Sequence, residues 1–171
     1  MRTPFHSSRR AAGRRTSGTG IPVLQGGEQV DSHDRTTGET RAMKDLGEGF
    51  HTFWRERHLA TLTTVRADGT PHVVPVGVTL DAGSGIARVI TSGGSNKVSL
   101  IRAAGQEGAA VAVCQVDGRR WSTLEGRAVI REDPGSVADA ERRYTERYRQ
   151  PRENPKRVVI EIRVTRVLGN V

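Results

Sequence analysis

A single cysteine, Cys114, stands in 171 residues. It cannot close an internal disulfide, and it excludes a multi-cysteine zinc site. Nothing here asks for an oxidising compartment, so a cytoplasmic protein is expected. No apolar run approaches the ~20 residues that cross a bilayer, so no membrane span is expected. Aromatics are scarce (three Phe, two Trp and two Tyr), which leaves small aliphatic side chains to fill a core. Familiar catalytic loops are missing too. There is no GxxxxGK[ST] phosphate loop, no GxGxxG and no GxSxG elbow. His51 and His58 lie seven apart rather than four, so no helical zinc pair and no metal is expected. The carboxylates fall in turns and in one late polar segment, without a paired arrangement. No catalytic side chain emerges. If this chain is an enzyme, a bound cofactor carries the chemistry.

Lysine is nearly absent as well, three residues beside 24 arginines, yet the formal net charge is +8. Such a surplus draws polyanions. Its distribution does not favour nucleic acid, because no aromatic-studded basic ribbon, zinc finger or RNA-recognition signature accompanies it. A small ligand carrying phosphates or carboxylates would use the charge equally well. Residues 1–42 are rich in Gly, Ser, Thr and Arg, without periodicity. They read as a disordered extension, because they offer too little apolar surface to offset ordering entropy. They hold no apolar stretch suited to a secretory signal, and Met43 is an alternative start. Residues 43–171 read as one domain.

Leu46, Phe50, Phe53 and Trp54 fall at helical spacing over about 44–57. Short β-like runs follow. Leu59–Arg66 leads through the Ala67-Asp68-Gly69 turn into Pro71–Leu80, where Pro75 marks an edge strand or a break in the ladder. Ile86–Ser92 precedes a short helix over Asn96–Ala104. Gly108–Val116 joins Arg119–Arg131 through Asp117-Gly118, a hairpin signal. Pro134 opens a polar helix to about Tyr148, and Val158–Val167 is the last strand. Six strands and two or three short helices make a mainly β, α+β protein, expected as a small antiparallel barrel.

The strongest local signal for chemistry is Ser92-Gly93-Gly94-Ser95-Asn96-Lys97. A strand ends and a helix begins there, so free N–H groups and the positive helix end can hold an anion, with Ser95 donating and Lys97 adding charge. The alternative is a plain turn with Ser95 as N-cap. Trp121, after its hairpin, can shelter a flat ring or plug a barrel end. Arg147, Arg149, Arg152, Lys156 and Arg157 surround two prolines and form either an anion clamp or a solvated face. His72 follows Pro71 in a β run, and Cys114 reads as a small core residue.

Taken in order, RHLATLTTVRADGTPHVVPVGVT, IARVITSGGSNK, QVDGRRWSTLEGRAVI and ERYRQPRENPKRVVIEIRV resemble the split-barrel flavin and deazaflavin oxidoreductases. These are the relatives of pyridoxamine 5′-phosphate oxidase. Within them the likeness is to the branch that uses the deazaflavin coenzyme F-420 and to its biliverdin-reductase-like members. It covers about residues 50–168. The resemblance implies a six-stranded split β-barrel and a homodimer with cofactor sites in the interface grooves. It implies that His72, Val73, Val74, Pro75 and Val76 line the cofactor ring through their backbone. Thr91, Ser92, Gly93, Ser95, Asn96 and Lys97 would hold the phosphate, Trp121 would contact the ring or its tail, and Arg149 and Arg152 would lie at the mouth. The implied acceptor is biliverdin or a similar conjugated molecule. Flavin mononucleotide (FMN) is the alternative cofactor, and non-catalytic binding of a tetrapyrrole or cofactor the alternative role. Position 96 is Asn where FMN-using relatives typically carry a basic residue, which weakens the case for tight FMN binding.

Overall fold

A computed structural model describes Met43 and residues 45–171; the expected disorder of residues 1–42 falls outside the described residues. The first helix, α1 (Gly47–Arg55), buries Phe50, Phe53 and Trp54 along one face. Leu46, expected on that face, is instead 40% exposed just before the helix begins. The Trp54 indole N–H donates to Ser122 Oγ at 3.1 Å, and the Gln115 amide donates to the Phe53 carbonyl at 2.8 Å. Both polar groups are thereby satisfied inside the core.

Seven strands follow, one more than the sequence suggested: β1 (Ala60–Val65), β2 (Pro71–Val76), β3 (Thr79–Asp81), β4 (Ile86–Ser92), β5 (Ala109–Asp117), β6 (Arg120–Arg131) and β7 (Arg157–Gly169). They form one antiparallel sheet in the order β2-β1-β5-β6-β7-β4-β3. The extra strand comes from Pro71–Leu80, which reads as one alternating run. It divides at Gly77-Val78 into β2, paired with β1, and β3, paired with β4. These two are the opposite edges of the sheet. A two-residue link between opposite edges obliges the sheet to curl until they meet, giving a barrel whose seam has no ladder across it. Both hairpin signals are realised: Gly69 and Gly118 take φ of +81° and +59°, and Asp68 Oδ1 accepts the Thr70 N–H at 2.9 Å.

The core is aliphatic, with Leu62, Val78, Val89, Val113, Leu124, Ile160 and Ile162 all but fully buried. Two more helices complete the domain. Helix α2 (Asn96–Ala103) buries Val98 and Ile101. Helix α3 (Pro134–Arg147) starts with Pro134 in its first turn, and the Asp133 carboxylate accepts the Ser136 N–H at 2.8 Å. Ion pairs fix α3 against β3 and β4: Arg143 contacts Asp81 at 3.5 Å and Arg88 contacts Asp139 at 3.7 Å. Among the described residues no helix is long and apolar enough to cross a membrane.

Candidate functional site

A cleft of about 690 Å³ opens where the seam, α2, α3 and the loop after α3 converge. Its wall combines the end of β2 (Pro75, Val76, Gly77) with Ile90 and Thr91 of β4, Lys97 of α2 and Tyr144 of α3. Residues 149–154, with Arg149 and Arg152, form its rim, and Arg157 completes it. Seven residues singled out in the sequence meet here: Pro75, Val76, Thr91, Lys97, Arg149, Arg152 and Arg157.

The Ser92–Lys97 turn starts α2 without a side-chain cap. Ser95 holds the N-cap position with extended backbone (φ −77°, ψ 149°), but its side chain caps nothing. Its hydroxyl lies 3.5 Å from Thr91 Oγ1 instead. No side-chain acceptor therefore covers the first-turn N–H groups of α2. The Ser95 N–H donates to the Ser92 carbonyl at 3.0 Å, and the Gly93 N–H donates to the Lys156 carbonyl at 2.8 Å, tying the turn to the basic loop. Ser92, Ser95 and the exposed Asn96 belong to this turn without lining the cleft. Gly93 faces a second, smaller cleft of about 380 Å³, shared with Arg102 and Lys156.

Lys97 decides the electrostatics. Burial pushes its ammonium below the ordinary value of 10.5, and among the described residues it has neither ion pair nor hydrogen bond. A desolvated cation without a partner is stabilised by whatever anion enters the cleft. Arg149 and Arg152 add two exposed guanidinium groups, Arg157 is paired with Glu141, and Glu153 is the one carboxylate on the cleft wall among the described residues.

Other expected residues lie elsewhere. His72 sits at the far end of β2, with Arg66 Nη2 3.2 Å from its Nδ1. Val74 packs against the core, while Val73 is 53% exposed. All three share an edge strand whose outer side has no partner strand among the described residues, so its free backbone groups remain available. Trp121 is the second residue of β6, its backbone N–H donating to Asn170 Oδ1 at 3.0 Å, and it is 39% exposed and outside the cleft of its own chain.

Arg147 leaves the basic cluster in which the sequence placed it. Its guanidinium reaches the Glu56 carbonyl at 2.8 and 3.0 Å, the Val78 carbonyl at 2.6 Å and Gln115 Oε1 at 2.7 Å. It stacks near Trp54 and Tyr148 as well. It is a lock on the seam. The Tyr148 hydroxyl assists, donating to the His58 carbonyl at 2.8 Å and accepting the Val78 N–H at 3.1 Å. Gly77 and Tyr144 went unnoticed in the sequence. The signals were there: a glycine interrupting an alternating run, and two tyrosines four apart.

Glu56, His58 and Asp117 bring their ligand atoms within 4.8 Å of one another, a grouping that could take a metal. Arg120 already fills it, bonding Glu56 at 2.9 Å and also Asp117. Its guanidinium holds both carboxyls below the usual carboxylate range.

The sequence profile described as pyridoxamine 5′-phosphate oxidase matches residues 46–170. The chain belongs to the pyridoxamine 5′-phosphate oxidase family. Among relatives of this chain is a biliverdin reductase of Mycobacterium tuberculosis (strain CDC 1551 / Oshkosh) that depends on reduced F-420. It is 58% identical over 118 residues, covering 69% of this chain and 83% of that one. A solved F-420 reductase superposes with a TM-score of 0.58 at 26% identity, over 72% of this chain and 98% of its own. The Mycobacterium tuberculosis protein Rv2991 shares the fold at a TM-score of 0.60 and 24% identity, over 72% of this chain and 84% of its own. Three of the four segments that first suggested the kinship supply residues to the cleft, and the segment around Trp121 does not.

Proposed function

We propose that this chain is an F-420-dependent oxidoreductase that reduces a flat conjugated acceptor of the biliverdin type, working as a homodimer in the cytoplasm. One observation carries the reading: an unpartnered, half-buried Lys97 stands beside an uncapped helix start in a cleft walled by the end of an open edge strand. The sequence identity to the F-420-dependent biliverdin reductase supports it. The donor set suits the group. Coenzyme F-420 carries a phosphodiester and a polyglutamate tail, and biliverdin carries two propionates, so both need cations spaced along a cleft.

When bound, reduced F-420 supplies a hydride. This chain's residues bind and orient the reactants. Lys97, Thr91 and the Ser95 turn hold the phosphate, the edge of β2 faces the ring through its backbone, and Arg149 and Arg152 draw carboxylates to the mouth. Holding donor and acceptor at reacting distance is the main service such a site performs. The accompanying proton comes from solvent, which reaches the open cleft.

The homodimer rests on the outer face of β2-β1-β5-β6. Leu59, Val65, Val73, Val116 and Trp121 are all exposed there, between 39% and 68%. Val116 and Trp121 are directly paired across β5 and β6. An apolar face of this kind fits a second copy better than water. Because Trp121 lies outside its own cleft, its expected contact with the ring requires the partner subunit. Nucleic acid has no place in this reading.

Mixing the purified protein with reduced F-420 and biliverdin under anaerobic conditions should bleach the bilin absorbance. No bleaching with several conjugated acceptors would remove the reductase. Parallel titrations with F-420 and FMN separate the two cofactors, and a strictly monomeric chain in light scattering would remove the dimer.

A further inference from the structure

Tyr144 and Tyr148 lie one helical turn apart at the end of α3, with ring centroids 4.8 Å apart. Their hydroxyls fare differently. That of Tyr148 is consumed by His58 and Val78 on the seam. That of Tyr144 has no hydrogen bond among the described residues, although the residue is only partly exposed and lines the cleft. Its ring cannot drift. Tyr148 holds one side, and on another a Cβ added to Gly77 would come within 2.7 Å of the Tyr144 ring. Packing thus fixes the phenol and leaves its hydroxyl open to the cleft, available to a ligand acceptor.

The neighbouring chemistry narrows the ligand group. The cations, Lys97, Arg149 and Arg152, suit the anionic ends of a molecule. Near the seam the wall is Pro75, Val76, Gly77 and Ile90, which is apolar surface and backbone. A neutral donor beside apolar surface matches a neutral acceptor on a flat ring. We propose that the Tyr144 hydroxyl donates a hydrogen bond to a ring carbonyl of the conjugated molecule in the cleft. This makes Tyr144 a positioning residue for that ring, and the inference rests on the cofactor-binding reading above. Such carbonyls occur on the pyrimidine-dione of the deazaflavin and on the lactam rings of a bilin.

Tyr144→Phe removes the hydroxyl and keeps the ring. In the full chain, F-420 is titrated by fluorescence, steady-state kinetics are run with biliverdin, and melting is followed with Tyr148→Phe alongside. The melting temperature of Tyr144→Phe should match that of the parent, while Tyr148→Phe melts earlier. The loss of one neutral bond should raise a constant about five- to tenfold. A rise in the F-420 Kd assigns the bond to the cofactor, and a rise confined to the acceptor KM assigns it to the substrate. If both constants stay put, or if Tyr144→Phe melts early with no specific rise, the inference is overturned while the cofactor reading stands. A parent chain that binds neither F-420 nor FMN overturns both.

Discussion

Arg147 and Lys97 are two cations held partly out of water without a carboxylate for company, and they are used in opposite ways. Arg147 engages three oxygens from three distant segments, and Lys97 engages none. The planar fork of a guanidinium can collect several carbonyls at once, which suits it to lock a seam. An ammonium on a flexible stem is a movable point charge, and left unpaired in a cleft it is available to a ligand. In both, burial pulls the pKa down. One cost is offset by the fold, and the other is left for binding.

Substituting each residue separates the two roles. The largest effect is expected from Arg147→Met, which orphans the Glu56 and Val78 carbonyls and Gln115. Stability in urea should fall by about 3 kcal/mol or more. A variant that unfolds at the parent's midpoint would mean that the lock is ornamental. Lys97→Ala should do the reverse: the loss of a charge-assisted contact weakens F-420 binding by ~1.5–3 kcal/mol, while stability holds or rises slightly. Unchanged affinity would reduce the turn to a helix start.

The pH response sharpens the contrast. Lys97 is charged below its pKa, and burial sets that pKa under the unfolded value of 10.5. Affinity for an anionic ligand should therefore be flat near neutrality and fall as pH rises through the lowered value. Stability of the free protein moves the other way over the same window, because the folded state there binds fewer protons than the unfolded one. Binding titrations and melts run across alkaline pH check both signs. The smallest effect is expected from Arg149→Gln or Arg152→Gln. These exposed groups should cost less than about 1 kcal/mol of affinity each, and the loss should shrink with added salt.

Much of this arrangement was legible in the chain. Turn chemistry at Asp68-Gly69 and Asp117-Gly118 placed both hairpins, because those residues alone satisfy the backbone there. The strand-to-helix glycines marked the start of α2, and three of the four segments that carry the resemblance supply the cleft. What stayed hidden depends on contacts across long separations. PHVVPVGVTL reads as one run in spite of Gly77, and it is pairing with two different strands that divides it there. Arg147 belongs by sequence with its basic neighbours; the carbonyls that claim it lie 69 and 91 residues away. Tyr144 sits in a helix that reads as polar, and its place in the cleft comes from how α3 docks.

The Gly77-Val78 tether has a mechanical corollary. Two residues span at most about 7 Å, so the margins of the curled sheet are pinned together at that point by covalent bonds. Away from it, toward Pro71 on one side and Asp81 on the other, no ladder joins them among the described residues. Any breathing of the cylinder must therefore be wedge-shaped, pivoting at the tether and widest at the unlaced end. The cleft lies beside the pivot, where the walls move least.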